Sequence, residues 1–297
     1  MPNSHQHTVA LITDSTCDIP PDLVATYGIT IIPQIVVWGE MQYLDRVTLD
    51  PEDFYERLDT DPVYPSSSCP TPAAFLERYE AARQGGAEAI VMATVSSAMS
   101  GTHNAARQAG ELINLPVTVI DSKGPTMSLG WQVLAAARAR EAAENSGVAD
   151  PAAIADQMVG AAAAARSTMA QLVCMDAIKY LQKGGRIGNA VGLVGTALKI
   201  RPVIYIDHET GLVNVERAAR TRKRGIEALV KGFYRRLDLS RPVHVAVLHG
   251  NDPASAATLA DRVRREIDPV ELLINITGPV LGINTGPNAL ALAGYTA

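Results

Sequence analysis

Apolar residues along this chain fall in short β-branched runs separated by longer stretches with helical spacing. Thr8–Thr13 (TVALIT) predicts a buried strand closed by the polar turn Asp14-Ser15-Thr16. Ile29–Val37 is a second β-rich run, broken by Pro33. Pro51–Leu58 and Pro72–Arg83 each place Pro at a first helical position, directly after the capping types Asp50 and Thr71. Ala89–Val95 predicts strand, Thr102–Ile113 helix and Val117–Ile120 strand, followed by Ala-rich helices over Thr126–Glu144 and Pro151–Arg166. Strands separated by single helices imply right-handed βαβ units on a parallel sheet.

The remainder is patterned differently. Leu172–Met175, Pro202–Ile206, Leu212–Glu216, His244–His249, Glu271–Ile276 and Pro279–Ile283 read as strands. Helices are expected near Met175–Gln182, Asn189–Leu198, Arg220–Leu237 and Pro253–Glu266. The turn His208-Glu209-Thr210-Gly211 joins two strands as a hairpin, so this half is expected to hold a mixed sheet. The fold class is therefore α/β in two domains. Residues 1–165 form a three-layer α/β/α unit with a parallel sheet, and residues 166–297 a mixed-sheet α/β unit. The boundary lies near Ala165–Ala170, with a ligand cleft between the halves.

At 297 residues the chain is long enough for two domains, and its 47% apolar and 19% charged composition excludes disorder. A count of 26 Lys and Arg against 31 Asp and Glu leaves a net charge of −5, so no overall basic field draws it to nucleic acid. Cys17, Cys69 and Cys174 are scattered without CxxC spacing, a pattern that suits a reducing cytoplasm rather than a disulfide framework or zinc site. Met1–His7 is polar, without the basic start of a signal peptide, and no apolar run approaches the ~20 residues needed to span a bilayer.

The candidate chemistry lies where strands end. Val95-Ser96-Ser97-Ala98-Met99-Ser100-Gly101-Thr102 stands between a parallel strand and a helix, the edge at which open α/β sheets bind ligands. Its hydroxyls and the unpaired N–H groups of a helix start suit a carboxylate or phosphate; plain N-capping by Ser100 or Thr102 is the alternative. Three further clusters, Thr13-Asp14-Ser15-Thr16, Ser66-Ser67-Ser68-Cys69-Pro70-Thr71 and Asp121-Ser122-Lys123-Gly124-Pro125-Thr126, are expected on the same edge. No GxSxG, GxxxxGK[ST], GxGxxG or HExxH motif occurs, none of the six histidines has metal-ligand spacing, and neither Cys17 nor Cys69 has a neighbouring His. This absence points to binding rather than turnover. Arg186, set among Gly184, Gly185 and Gly188, is placed to meet an anion or acidic partner, although such glycines also serve as a plain helix stop. Arg217, Arg220, Arg222, Lys223 and Arg224 form a basic run at a helix start, calling for anionic company or a solvated face.

In this order the motifs resemble the DegV family of bacterial lipid-binding proteins over nearly the whole chain. Thr13-Asp14-Ser15-Thr16-Cys17-Asp18 resembles the family opening, Ser67-Ser68-Cys69-Pro70 its TSQP segment, and Ser96–Thr102 its SSxxSGT. Tyr180–Gly188, Arg220–Arg224 and the closing GPxxGxxxGPxAL from Gly278 to Leu290 continue the pattern. The resemblance implies a palmitate-like or oleate-like fatty acid in a tunnel between two domains, with no cofactor, metal or catalytic residue. It implies a carrier that presents the acid to a separate ATP-dependent fatty acid kinase subunit. By motif, Ser67 and Ser97 bind the carboxylate, Ser66, Ser96, Ser100, Thr126 and Asn284 complete the ligand site, and Arg186 faces the kinase. Two departures bear on the head group: Cys69 replaces the usual Gln, and Asn284 stands where some members place His. A small-molecule hydrolase or phosphotransferase using Ser97 or Ser100, and more weakly a nucleic-acid-binding regulator using Arg217–Arg224, are the alternatives.

Overall fold

The computed structural model describes residues 7–193 and 200–297. In chain order the elements are β1 (Val9–Asp14), α1 (Pro21–Thr26), β2 (Thr30–Ile32), β3 (Ile35–Trp38), β4 (Met41–Leu44), α2 (Pro51–Thr60), β5 (Ser66–Ser68), α3 (Pro72–Gln84) and β6 (Ala89–Thr94). There follow α4 (Thr102–Gly110), β7 (Val117–Asp121), α5 (Met127–Asn145), α6 (Pro151–Ser167), β8 (Ala170–Cys174) and α7 (Lys179–Gly184). The chain closes with β9 (Arg201–Ile206), β10 (Val213–Ala219), α8 (Arg222–Tyr234), β11 (Val243–His249), α9 (Pro253–Ile267), β12 (Glu271–Ile276), α10 (Pro279–Thr285) and β13 (Leu290–Thr296).

The first sheet runs β2-β1-β6-β7 with every pair parallel, and the second runs β10-β9-β8-β13-β11-β12 with mixed pairing. Side chains alternate between faces with the strand period of two. On β6, Ala89, Val91 and Ala93 face α5 and α6, whereas Ile90 and Met92 pack with Phe75 of α3 and Ala106 of α4. On β8, Val173 joins the α5–α6 core, whereas Leu172 and Cys174 pack with Leu229 of α8 and Leu259 of α9. The result is five layers: α3–α4, parallel sheet, α5–α6, mixed sheet, α8–α9.

The central layer explains the Ala-rich sequences. The α5 helix is buried on nearly every side, because both sheets press on it. Small side chains allow that close approach, and Trp131 ties α5 to the second sheet by donating from Nε1 to the Ala293 carbonyl (3.1 Å).

Four expectations from the sequence need correction. Pro279–Ile283 is not a strand but the start of α10. Pro279 supplies a preset helical φ at the first position, and the Gly282 N–H closes the turn onto the Gly278 carbonyl (2.8 Å). Any side chain at Gly282 would collide with Phe54 and Tyr55, so the apolar run is packed as a helix against α2. Ile29–Val37 is two strands, β2 in the parallel sheet and β3 in a small antiparallel sheet of order β4-β3-β5, split where Pro33 lacks an N–H. The Ser66 cluster does not follow a strand of the parallel sheet but is itself strand, β5 of the small sheet. It pairs with β3 (Val36 opposite Ser67) through backbone groups that leave no apolar signature. The helix expected over Asn189–Leu198 is a 3-10 turn at Gly188–Leu193, and its remainder lies outside the described residues.

The motif after β1 fastens the small sheet to α10. Asp14 accepts from the Val95 N–H (2.8 Å) and the Thr16 hydroxyl (2.6 Å), joining the ends of β1 and β6. Asp18 accepts from Arg46 (2.6 Å) and the Gly278 N–H (3.1 Å), and Asp45 from Ser15 (2.5 Å) and the Val280 N–H (3.3 Å). Burial raises all three carboxyls above their usual range, and pushes Asp45 up to about 7. A carboxyl whose folded pKa exceeds its unfolded value holds its proton more tightly in the native state. Its contribution is therefore complete below about pH 4 and lost as pH rises through about 7. Thermal melts from about pH 5 to about pH 8 should show a steeper fall in Tm for the native chain than for Asp45→Asn. Parallel profiles would contradict this role for Asp45.

Candidate functional site

The α5 helix begins at Met127, and beyond its N-terminus a gap remains between the two sheets. The gap is a cavity holding about 780 Å³ of empty space together with its open mouth. Val173 of β8, Ile204 and Ile206 of β9, Leu181 of α7 and Val280 and Leu281 of α10 supply much of its apolar wall. The third wall comes from the C-terminal edge of the parallel sheet, through Thr16 after β1 and Val95 and Met99 after β6.

Of the residues singled out from sequence, Ser67, Ser100, Thr126, Asn284 and Arg186 line this cavity, with Ser68 and Cys69 beside them. Ser66, Ser96 and Ser97 lie outside its lining. The buried Ser96 donates to the Gly211 carbonyl (3.0 Å), pinning its loop to the β9–β10 hairpin. Ser97 is exposed, and both its N–H (3.1 Å) and its hydroxyl are taken by Asp121. Burial opposes that carboxylate, but Lys123 and Ser97 outweigh it and hold Asp121 below the usual range. A charged acceptor this close captures the Ser97 hydroxyl in preference to a ligand outside its loop.

Arg186 is presented by the turn that ends α7, where Gly185 takes the left-handed φ of +75°. Its guanidinium donates to the carbonyls of Met99 (3.2 Å) and Gly184 (2.9 Å). Among the described residues no carboxylate pairs with it, so donors remain free at the cavity mouth. Arg222, by contrast, is tied to Asp176 (3.2 Å) and Asp252, and so has the anionic company that the basic run called for.

Sequence reasoning missed Gln171, Gln34 and the conformation of Thr126. Gln171 is the one polar residue of the strand AQLVC, and that interruption of an apolar strand was the only signal available. Thr126 has φ +52° and ψ −141°, a costly backbone for a β-branched residue. Its hydroxyl, Nε2 of Gln171 and Oδ1 of Asn284 are buried without a hydrogen-bond partner in the protein, and all three residues line the cavity.

Among the described residues neither Ser100 nor Ser97 is hydrogen-bonded to a histidine or lysine; Ser100 shares a hydrogen bond with Thr102 (2.8 Å). Ser128 does meet a histidine, His208 Nε2, at 3.0 Å. Burial pushes His208 down to about 4, and Ser128 is itself fully buried and outside the cavity lining, so this pair lacks both the base strength and the access of a nucleophile. Cys17 and Cys174 are buried thiols pushed up to about 12 and about 11 by burial, which keeps them unreactive.

The whole chain has close counterparts. A curated DegV domain-containing protein of Streptomyces coelicolor is 34% identical over 286 residues, covering 96% of this chain and 97% of the relative. Among solved structures, one described as fatty acid binding of a DegV family protein from Thermus thermophilus superposes with a TM-score of 0.84 at 26% identity, covering 97% of this chain and 99% of the other. DegV from Bacillus subtilis, described as a fatty acid binding protein, gives 0.85 at 26% identity, with 98% and 100% covered. The family model described as "Uncharacterised protein, DegV family" matches residues 8–297, and the chain belongs to the DegV family.

Proposed function

We propose that this protein is a non-catalytic carrier of a long-chain fatty acid, palmitate-like or oleate-like, working in the cytoplasm. The observation that carries the reading is the cavity: an apolar slot between two sheets, with hydroxyls, amides and Arg186 in its lining and, among the described residues, no nucleophile–base pair facing it. The fatty acid binding described for the Thermus thermophilus and Bacillus subtilis proteins supports the same ligand class. Among the described residues no helix is long and apolar enough to cross a membrane.

The acyl chain provides the affinity, at about 0.8 kcal/mol per buried CH₂. Ser67 and Ser100 hold the carboxylate, together with the second N–H of Asn284 Nδ2, whose first N–H donates to the Val280 carbonyl (3.1 Å). Neutral donors satisfy it without a fixed counter-charge, which leaves it open to extraction by a partner. That partner is a separate ATP-dependent fatty acid kinase subunit, which phosphorylates the presented acid. Arg186, with donors to spare at the mouth, faces the partner and the incoming phosphoryl group.

Each hydrogen bond to the carboxylate contributes about 1.5–3 kcal/mol, so Ser67→Ala or Ser100→Ala should weaken palmitate binding roughly tenfold to a hundredfold. The double variant should lose most of the native preference for the free acid over its methyl ester, while Ser97→Ala should keep it. Titration calorimetry with acid and ester checks this, and an unchanged preference in the double variant would move the head group elsewhere. Arg186→Ala should leave palmitate binding nearly intact while sharply reducing acyl-phosphate formation with the cognate kinase. Loss of binding together with loss of helical circular dichroism would show a structural role instead.

A further inference from the structure

The polar lining of the cavity comes from two places. Ser67, Cys69, Ser100 and Asn284 are half-buried and form its outer rim, on β5 and the loop after it, the β6–α4 loop and α10. Gln171 and Thr126 belong to the other side, where α5 starts against β8. Along β8, Val173 lies two residues, roughly 7 Å, closer to α7 than Gln171 on the same face. Apolar wall therefore separates the Gln171 position from the rim.

Both groups on the inner side are buried and unpaired. Gln171 is 1% exposed and Thr126 5% exposed, and among the described residues neither Gln171 Nε2 nor Thr126 Oγ1 has a partner. The orientation of the amide is set from behind. Ser128 donates its hydroxyl to Gln171 Oε1, and that same hydroxyl lies 3.0 Å from His208 Nε2. With the amide oxygen engaged, its NH₂ is the edge left without a partner in the protein. The strained Thr126 backbone holds a hydroxyl on the same cavity. An NH₂ donor and a hydroxyl that both donates and accepts suit a neutral oxygen.

From this we infer that the Gln171–Thr126 pair is a second recognition site, which selects acyl chains bearing a hydroxyl or keto oxygen partway along. The inference rests on the fatty-acid reading of the cavity. A plain methylene chain leaves both groups buried and unpaired. A site built to hydrogen-bond a ligand oxygen discriminates strongly against the analogue that lacks it.

Titration calorimetry of the full-length protein with stearate and a series of monohydroxystearates differing in hydroxyl position tests this. The native chain should bind at least one hydroxy acid about tenfold or more tightly than stearate. Gln171→Leu should abolish that preference and bind stearate at least as well as native. Thr126→Gly should reduce the preference too, while raising Tm, because glycine relieves the positive φ; it is the variant that keeps the test open if Gln171→Leu does not fold. Equal native affinity for all the acids would mean that water satisfies the pair, overturning the inference alone. Equal loss of stearate and hydroxystearate binding in Gln171→Leu would place the carboxylate on Gln171 and also overturn it. Binding of none of the acids would overturn the carrier reading, and this inference with it.

Discussion

The central helical layer has to satisfy two sheets at once, and the rest of the molecule follows from that constraint. A layer of α-helix, about 10–12 Å across with its side chains, holds its flanking sheets farther apart than two directly stacked sheets, so a gap remains where the helix stops. The α5 helix stops at Thr126, level with the strand ends of the parallel sheet and the β8–β10 face of the mixed sheet. Loops and α10 wall this gap without filling it. The cavity is a consequence of the packing scheme rather than an excavation of the core.

Charge is kept out of the cavity in the same way. The carboxyls of Asp14, Asp18 and Asp45 are spent on fastening β1, the small sheet and α10 together, and Asp121 is spent on Ser97 and Lys123. Among the described residues Arg186 is the one cation in the lining, and it stands beside the backbone turn that presents it. The small antiparallel sheet matters here because it carries Ser67 to the rim, and the buried Asp18–Arg46 pair fixes that sheet against the Gly278 turn.

Much of this was legible in the sequence. Strands buried on both faces read as largely apolar, β-branched runs, and β1 and β6 of the parallel sheet and β8, β9 and β11 of the mixed sheet were visible for that reason. The Pro279 helix and the Ser66 strand were not. An apolar run of five residues has no period long enough to separate helix from strand, and backbone pairing by serines leaves no pattern at all. Strand β13 was missed because its LALAGYT reads as small and unpunctuated beside the neighbouring glycines. At the cavity, the clusters after β1, β6 and β7 each contribute a lining residue from the C-terminal edge of the parallel sheet, whereas the Ser66 cluster reaches it from the small sheet. Which hydroxyl faces the cavity depended on the neighbours each loop brings: Asp121 takes Ser97, Gly211 takes Ser96, and Ser67, Ser100 and Thr126 line the cavity. Gln171 needed the fold, since only the sheet pairing shows that it shares a face with Val173.

The central claim is that the slot beyond α5 is a fatty-acid site, and native mass spectrometry of the gently purified protein addresses it directly. The account predicts a population heavier than the bare chain by the mass of a long-chain fatty acid, releasable by denaturation and replaceable by added palmitate or oleate. A chain that is ligand-free as isolated, and that takes up neither acid on incubation, would contradict it.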